Sequence, residues 1–257
     1  MFIVTPIPAF NDNYIWALQS EHAGPVAVVD PGDAVPVQAW LEQQGVSLAA
    51  ILITHHHQDH TGGAEALREQ FDVPVYGPLE SPFKGITHPL RQNSEIRLLE
   101  QRLQVRAVPG HTLDHISYFQ PEDLPQLFCG DTLFLAGCGR LFEGSARQML
   151  EAMHYFASLP EQTLVYCAHE YSLANLAFAA AVEPDNADIQ RVTAECEARR
   201  QRSEPTLPSS IGQERLINPF MRTAAIDVIR AAERHAGRDL ASEIEVLAAL
   251  RQWKNHF

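Results

Sequence analysis

Four imidazoles and a carboxylate fall within six residues of this 257-residue chain, in His55-His56-His57-Gln58-Asp59-His60. Imidazole nitrogens and carboxylate oxygens are ligands of zinc, iron and manganese, so His-x-His-x-Asp-His reads as metal chemistry rather than as a solvated histidine-rich loop. Alternate side chains of an extended backbone point the same way, which aims His55 and His57 together and turns His56 to the opposite side. Asp59 and His60 follow where the chain must turn toward Gly62 and Gly63, and they can face a second centre close by.

The elements that position this cluster are legible from hydropathy. The apolar run Ala49 to Ile53 is a buried strand that delivers the cluster at its C-terminal end, and a helix is expected over 64–71. The same setting recurs three times. Leu103 to Val108 runs into Pro109-Gly110-His111, Leu127 to Cys129 into Gly130-Asp131, and Thr163 to Cys167 into Ala168-His169. Strand ends that share one sheet edge converge their side chains, as in open α/β sheets.

The strand-end candidates are therefore His55, His57, Asp59, His60, His111, Asp131 and His169. One catalytic zinc typically takes three protein ligands plus water, so this set implies two metal ions. The natural partition gives one ion His55, His57 and His111 and the other Asp59, His60 and His169, with Asp131 bridging. The two aspartates and a shared hydroxide leave such a cage with residual positive charge, suited to an oxyanion, and a doubly coordinated water ionises near neutral pH.

The remaining pattern is that of an α/β chain with a helical end. Val4 to Ile7, Tyr14 to Leu18 and Val26 to Val29 are expected as successive antiparallel strands, and Asp30-Pro31-Gly32-Asp33 closes the third before a helix that runs to Gly45. Val73 to Tyr76 and His115 to Phe119 read as strands, Ile96 to Leu99 and Leu103 to Val108 as a hairpin, and 145–158 as a helix. From Ser172 the spacing becomes helical, with further helices over 187–203, 223–236 and 240–253. This divides the chain at 1–171 and 172–257.

Composition excludes some classes. Nineteen Lys and Arg against 32 Asp and Glu give a net charge of −13, which argues against nucleic acid or an anionic membrane as partner. No basic leader or long apolar run is present, so a cytoplasmic location is expected. Cys129, Cys138, Cys167 and Cys196 form no CxxC pair and read as buried free thiols.

The ligand pattern resembles the metallo-β-lactamase superfamily, with its His-x-His-x-Asp-His motif followed by a His, a bridging Asp and a final His. That resemblance covers residues 1–171 and implies a four-layer αββα sandwich, here followed by a smaller all-α domain. Gly130-Asp131-Thr132-Leu133-Phe134, Gly137-Cys138-Gly139-Arg140, Phe142-Glu143-Gly144, Cys167-Ala168-His169-Glu170-Tyr171 and the helical tail with Arg251 and Lys254 resemble the glyoxalase II (hydroxyacylglutathione hydrolase) family over the full length.

The resemblance implies a thioesterase that splits S-lactoylglutathione into glutathione and D-lactate, the second step of methylglyoxal detoxification. Two divalent ions are implied, zinc first, with iron or manganese accepted by the same ligands. It assigns glutathione to Arg140, Phe142, Tyr171, Arg251 and Lys254, and orientation of the nucleophile to Asp59 and Asp131. A monomer is expected. Two residues depart from the family pattern. Phe142 stands where some relatives carry Tyr, removing a hydroxyl contact, and Asp114 stands at a usual Gly, where positive φ and local strain are expected.

Plainer roles fall to the others. His115, Tyr14 and Asn13 are expected to support or pack, and His22, His88, His154, His235 and His256 to lie on the surface. Arg251 and Lys254, taken alone, would be a solvated helix face. A β-lactamase, an RNA-processing nuclease, a persulfide dioxygenase and a non-enzymatic metal-binding protein are the rivals. The first usually has Cys at the position of Asp131, the second needs basic surface, the third binds a single iron, and the last leaves the complete ligand set unexplained.

Overall fold

A computed structural model describes residues 1–20 and 24–257 of the chain; His22 lies outside the described residues. The chain forms two compact units, each discontinuous in sequence. The first comprises Met1–Val108, Asp114–Gly130 and Tyr166–His169, and the second Pro109–Leu113, Asp131–Val165 and Glu170–Phe257.

The first unit is built on a six-stranded sheet in the order β1 (Ile3–Ala9), β2 (Asn13–Gln19), β3 (Val26–Val29), β4 (Leu48–Leu52), β5 (Val75–Pro78) and β6 (His88–Leu90). The first three strands are antiparallel, as the sequence predicts, and β3 to β6 are parallel. Parallel neighbours need crossovers, supplied here by α1 (Ala34–Gln44) and by the pair α2 (Gln58–Thr61) and α3 (Ala64–Phe71). Helix α1 starts at Asp33, whose side chain accepts from the Val35 amide, and stops at left-handed Gly45.

Every residue of β2 and β3 is buried, which means that both faces of this sheet are covered. One face, with Ile15, Ala17, Val26, Val28, Ile51 and Ile53, packs on Val37, Leu41, Ala64 and Leu67 of α1 and α3. The other meets antiparallel strands β7 (Glu95–Leu98), β8 (Gln101–Ala107), β9 (Ile116–Gln120) and β10 (Gln126–Gly130). There the Tyr118 hydroxyl donates to the Ile53 carbonyl at 2.7 Å, and the Trp16 indole donates to the Cys167 carbonyl at 3.0 Å.

The second unit carries the hairpin β11 (Leu133–Phe134) and β12 (Gly137–Cys138), helix α4 (Ala146–Ala157), and the start of β13 (Leu164–Cys167), which ends in the first unit. Helices α5 (Ser172–Val182) and α6 (Ala187–Gln201) follow, then the short β14 (Ser209–Ser210) paired with Leu164 and Val165. Helices α7 (Ile211–Ile217), α8 (Ile226–Ala236) and α9 (Glu243–Asn255) complete it. The capping box Ser145/Gln148 fixes the start of α4, and all four cysteines are buried.

Three sequence expectations are corrected. The strand expected over Val73 to Tyr76 runs Val75–Pro78, because its register is set by pairing with β4 and β6 rather than by hydropathy alone. Strands β6, β11, β12 and β14 and helix α7 went unread, each being too short to show a period. Asp114 does not adopt positive φ, and its carboxylate meets His56 Nδ1 at 2.9 Å.

Candidate metal centre and cationic pocket

The end of β4 places Thr54 and His55 side by side, both fully buried, and the chain then turns at His57 into α2, which carries Asp59 and His60. Thr54 Oγ1 donates to Asp30 Oδ2 at 2.7 Å, so it is left to accept from His55 Nδ1, 3.0 Å away. That puts the proton of His55 on Nδ1 and its lone pair on Nε2, which faces His57 Nδ1 at 3.1 Å. His60 Nδ1 meets the same Asp30 Oδ2 at 3.0 Å. One buried carboxylate therefore orients two imidazoles, one directly and one through a hydroxyl.

The third arm comes from the residues after β13. The amide of Tyr14 donates to the Ala168 carbonyl at 2.7 Å, and His169 Nδ1 meets Asp12 Oδ1 at 2.8 Å. His60 Nε2 and His169 Nε2 each lie 3.4 Å from Asp59 Oδ2, to which Asn13 Nδ2 also donates at 3.1 Å. Burial works to raise the pKa of Asp59, but the hydrogen bonds from His169 and His60 outweigh it and hold the carboxyl well below the usual carboxylate range.

In the second unit His111 shows the same arrangement. Its Nδ1 donates to the Arg140 carbonyl at 2.9 Å, leaving the Nε2 lone pair 3.5 Å from Asp131 Oδ2. This depends on a close backbone approach at Gly139, where a Cβ would stand 2.1 Å from the Asp131 carbonyl oxygen.

Asp59, His60 and His169 offer ligand atoms within 4.8 Å of one another, as do Asp30, His55 and His60. The donor set fits a divalent cation: each of four rings is held through one nitrogen by a fixed acceptor, and the other nitrogen points at a carboxylate or a second imidazole. Imidazole ligands of metals are commonly oriented in this way. Asp30 is better read as the orienting partner, since its oxygens are already taken by Thr54 and His60.

The residues expected to support or lie outside the cage sit as follows. His56 points to Asp114, and His115 is buried and stacked on His55 with ring centroids 4.5 Å apart. His88, His235 and His256 are exposed, and His154 meets Glu243 at 3.2 Å on the surface. Sequence reasoning missed Asp30 and Asp12. The available signal was position: both lie in turns at strand ends of the sheet that delivers the ligands.

The second unit also collects the cations named from the sequence. Arg251 on α9 is not a solvated side chain: it is 4% exposed, donates from Nη1 to the Cys138 carbonyl at 2.7 Å and lies over the Phe220 ring at 5.3 Å. Lys254 is half-buried over Phe178, and burial together with the nearby Arg251 charge pulls its ammonium down to about 8. Arg140 is exposed. Tyr171 precedes α5 with its ring 5.3 Å from Phe134, and Phe142 is exposed with its ring 5.3 Å from His111.

The family model "Metallo-beta-lactamase superfamily" matches residues 11–169, more than half of the chain, which places the fold and the histidine cluster in that class. BLEG-1, a B3 metallo-β-lactamase of known structure, superposes with a TM-score of 0.63 at 26% identity, covering 86% of this chain and 99% of its own. The model "Hydroxyacylglutathione hydrolase C-terminus" matches residues 170–257. Proteins named hydroxyacylglutathione hydrolase from Nitrosomonas eutropha and Chromohalobacter salexigens are 48% and 50% identical, each over 100% of both chains. The chain belongs to the hydroxyacylglutathione hydrolase family, with a metallo-β-lactamase fold and a helical C-terminal region.

Proposed function

We propose that this chain hydrolyses S-(2-hydroxyacyl)glutathione thioesters, S-lactoylglutathione first among them, to glutathione and the 2-hydroxy acid. The observation that carries this reading is the identity of about half to hydroxyacylglutathione hydrolases over the full length of both chains.

The ligands would be His55, His57, Asp59, His60, His111, Asp131 and His169, holding two divalent ions with zinc, iron and manganese as candidates. Bound metal would supply Lewis acidity and a water of lowered pKa. Asp59 and Asp131 orient the nucleophile, and the neutral imidazoles keep their lone pairs inward through Asp30, Asp12 and the Arg140 carbonyl. Arg140, Tyr171 and Lys254 take the carboxylates and backbone of glutathione, as charge-assisted pairs favour, while Arg251 sets the loop carrying Cys138. Thiolate is a good leaving group, so no strong general acid is required.

The division at 1–171 and 172–257, a monomeric state and a cytoplasmic location belong to the same proposal. Among the described residues no helix is long and apolar enough to cross a membrane. A substrate panel tests the reading. Turnover of S-lactoylglutathione should far exceed that of a cephalosporin, a precursor RNA or glutathione persulfide; preference for any of the other three would overturn it.

A further inference from the structure

The loop between β1 and β2 contains a residue that folding does not account for. The register pairs Ala9 with Asn13, leaving Phe10, Asn11 and Asp12 as the turn. Phe10 has φ of 50° and is the only aromatic residue with positive φ among the described residues. Left-handed backbone disfavours a bulky side chain, and Gly, Asn or Asp would take the position without strain. The ring is also 60% exposed, so it returns little burial for that strain. Strained residues that contribute little to the core cluster at functional sites.

Its surroundings say which site. A Cβ on Gly32 would meet the Asp59 carbonyl oxygen at 1.9 Å and Phe10 Cε2 at 2.9 Å, so the ring edge and the backbone of Asp59 flank the same bare α-carbon. Two residues on, Asp12 orients His169, and Asn13 donates to Asp59. The hairpin thus holds two ligands from behind and raises an apolar ring beside them.

We propose that Phe10 is a specificity-determining residue whose exposed ring edge forms an apolar wall for the acyl group of the thioester. This rests on the proposed thioesterase reading.

The test is kcat/KM for S-acetyl-, S-propionyl- and S-butyrylglutathione, with metal content and thermal stability measured on the same preparations. In the wild-type protein kcat/KM should rise with chain length, by up to about fourfold per methylene, the factor that roughly 0.8 kcal/mol per buried CH2 gives. Phe10→Ala should flatten that slope with metal content unchanged, and Phe10→Leu should keep most of it. Phe10→Asn should raise Tm by about 2–4 °C through relief of strain. An unchanged slope in Phe10→Ala, an equal loss on all three substrates, or a marked fall in Tm for Phe10→Asn would overturn the inference while leaving the thioesterase reading intact. Failure of the wild-type protein to hydrolyse any of the three, or S-lactoylglutathione, would overturn both.

Discussion

Asp30 Oδ2 lies 3.0 Å from His60 Nδ1, and through Thr54 the same oxygen fixes His55. Asp30 sits at φ 53° and is 4% exposed, so a single buried carboxylate aligns rings on both sides of the turn after β4. Asp30→Asn tolerates that backbone but replaces one acceptor oxygen with an NH2 donor, so it cannot accept from the Thr54 amide on one side and from Thr54 Oγ1 and His60 on the other. Loss of a group that orients metal ligands typically costs 10- to 100-fold in metal affinity, and that loss is expected here. Competition against a chelator measures it; unaltered metal retention would remove Asp30 from the centre.

Arg251 and Lys254, three residues apart on α9, should behave differently when truncated. Arg251→Ala leaves the Cys138 carbonyl without its buried donor, which should cost about 1–3 kcal/mol of stability as well as activity. Lys254→Ala should leave Tm within about 2 °C of wild type and raise KM for S-lactoylglutathione, sparing a small thioester that lacks glutathione. Thermal melts beside two-substrate kinetics separate the pair, and identical phenotypes would contradict the assigned roles.

A buried carboxyl gives the stability a pH dependence. Glu214 accepts from the Ala136 amide at 2.8 Å and from Asn218 at 3.0 Å, and burial pushes it up to about 7. Because the folded pKa is above the unfolded one, its protonated form contributes stability that is complete below about pH 4.5 and lost as pH rises through about 7. Glu214→Gln keeps both acceptor contacts without the charge. It should raise Tm at pH 8 by several degrees and leave it nearly unchanged at pH 5; equal shifts at both values would contradict the assignment.

Much of this was legible in the sequence because the ligands are tied to strand ends, and strands with both faces covered announce themselves as unbroken apolar runs such as Val26 to Val29 and Ala49 to Ile53. Asp12 and Asp30 were not legible as orienting groups. Nothing local distinguishes them from ordinary turn aspartates; the pairing of β3 with β4 brings Asp30 to His55 and His60, and the bridge between Asn13 and His169 brings Asp12 to its histidine. The burial of Arg251 was not legible for a related reason. Its helix spacing suggests solvent, but its environment is set by the Cys138 carbonyl, 113 positions away. Asp114 illustrates the limit of family patterns, since its backbone lies outside the positive-φ region expected there and its carboxylate meets His56.

The central claim is that the histidine–aspartate centre drives cleavage of a glutathione thioester. Its most direct test is steady-state hydrolysis of S-lactoylglutathione by the full chain, with metal content determined on the same samples before chelation, after it, and after readdition of zinc, iron or manganese. Turnover should disappear as metal is removed and return in proportion to metal rebound. Full activity in metal-depleted protein, or no hydrolysis of the thioester by metal-loaded protein, would contradict the account.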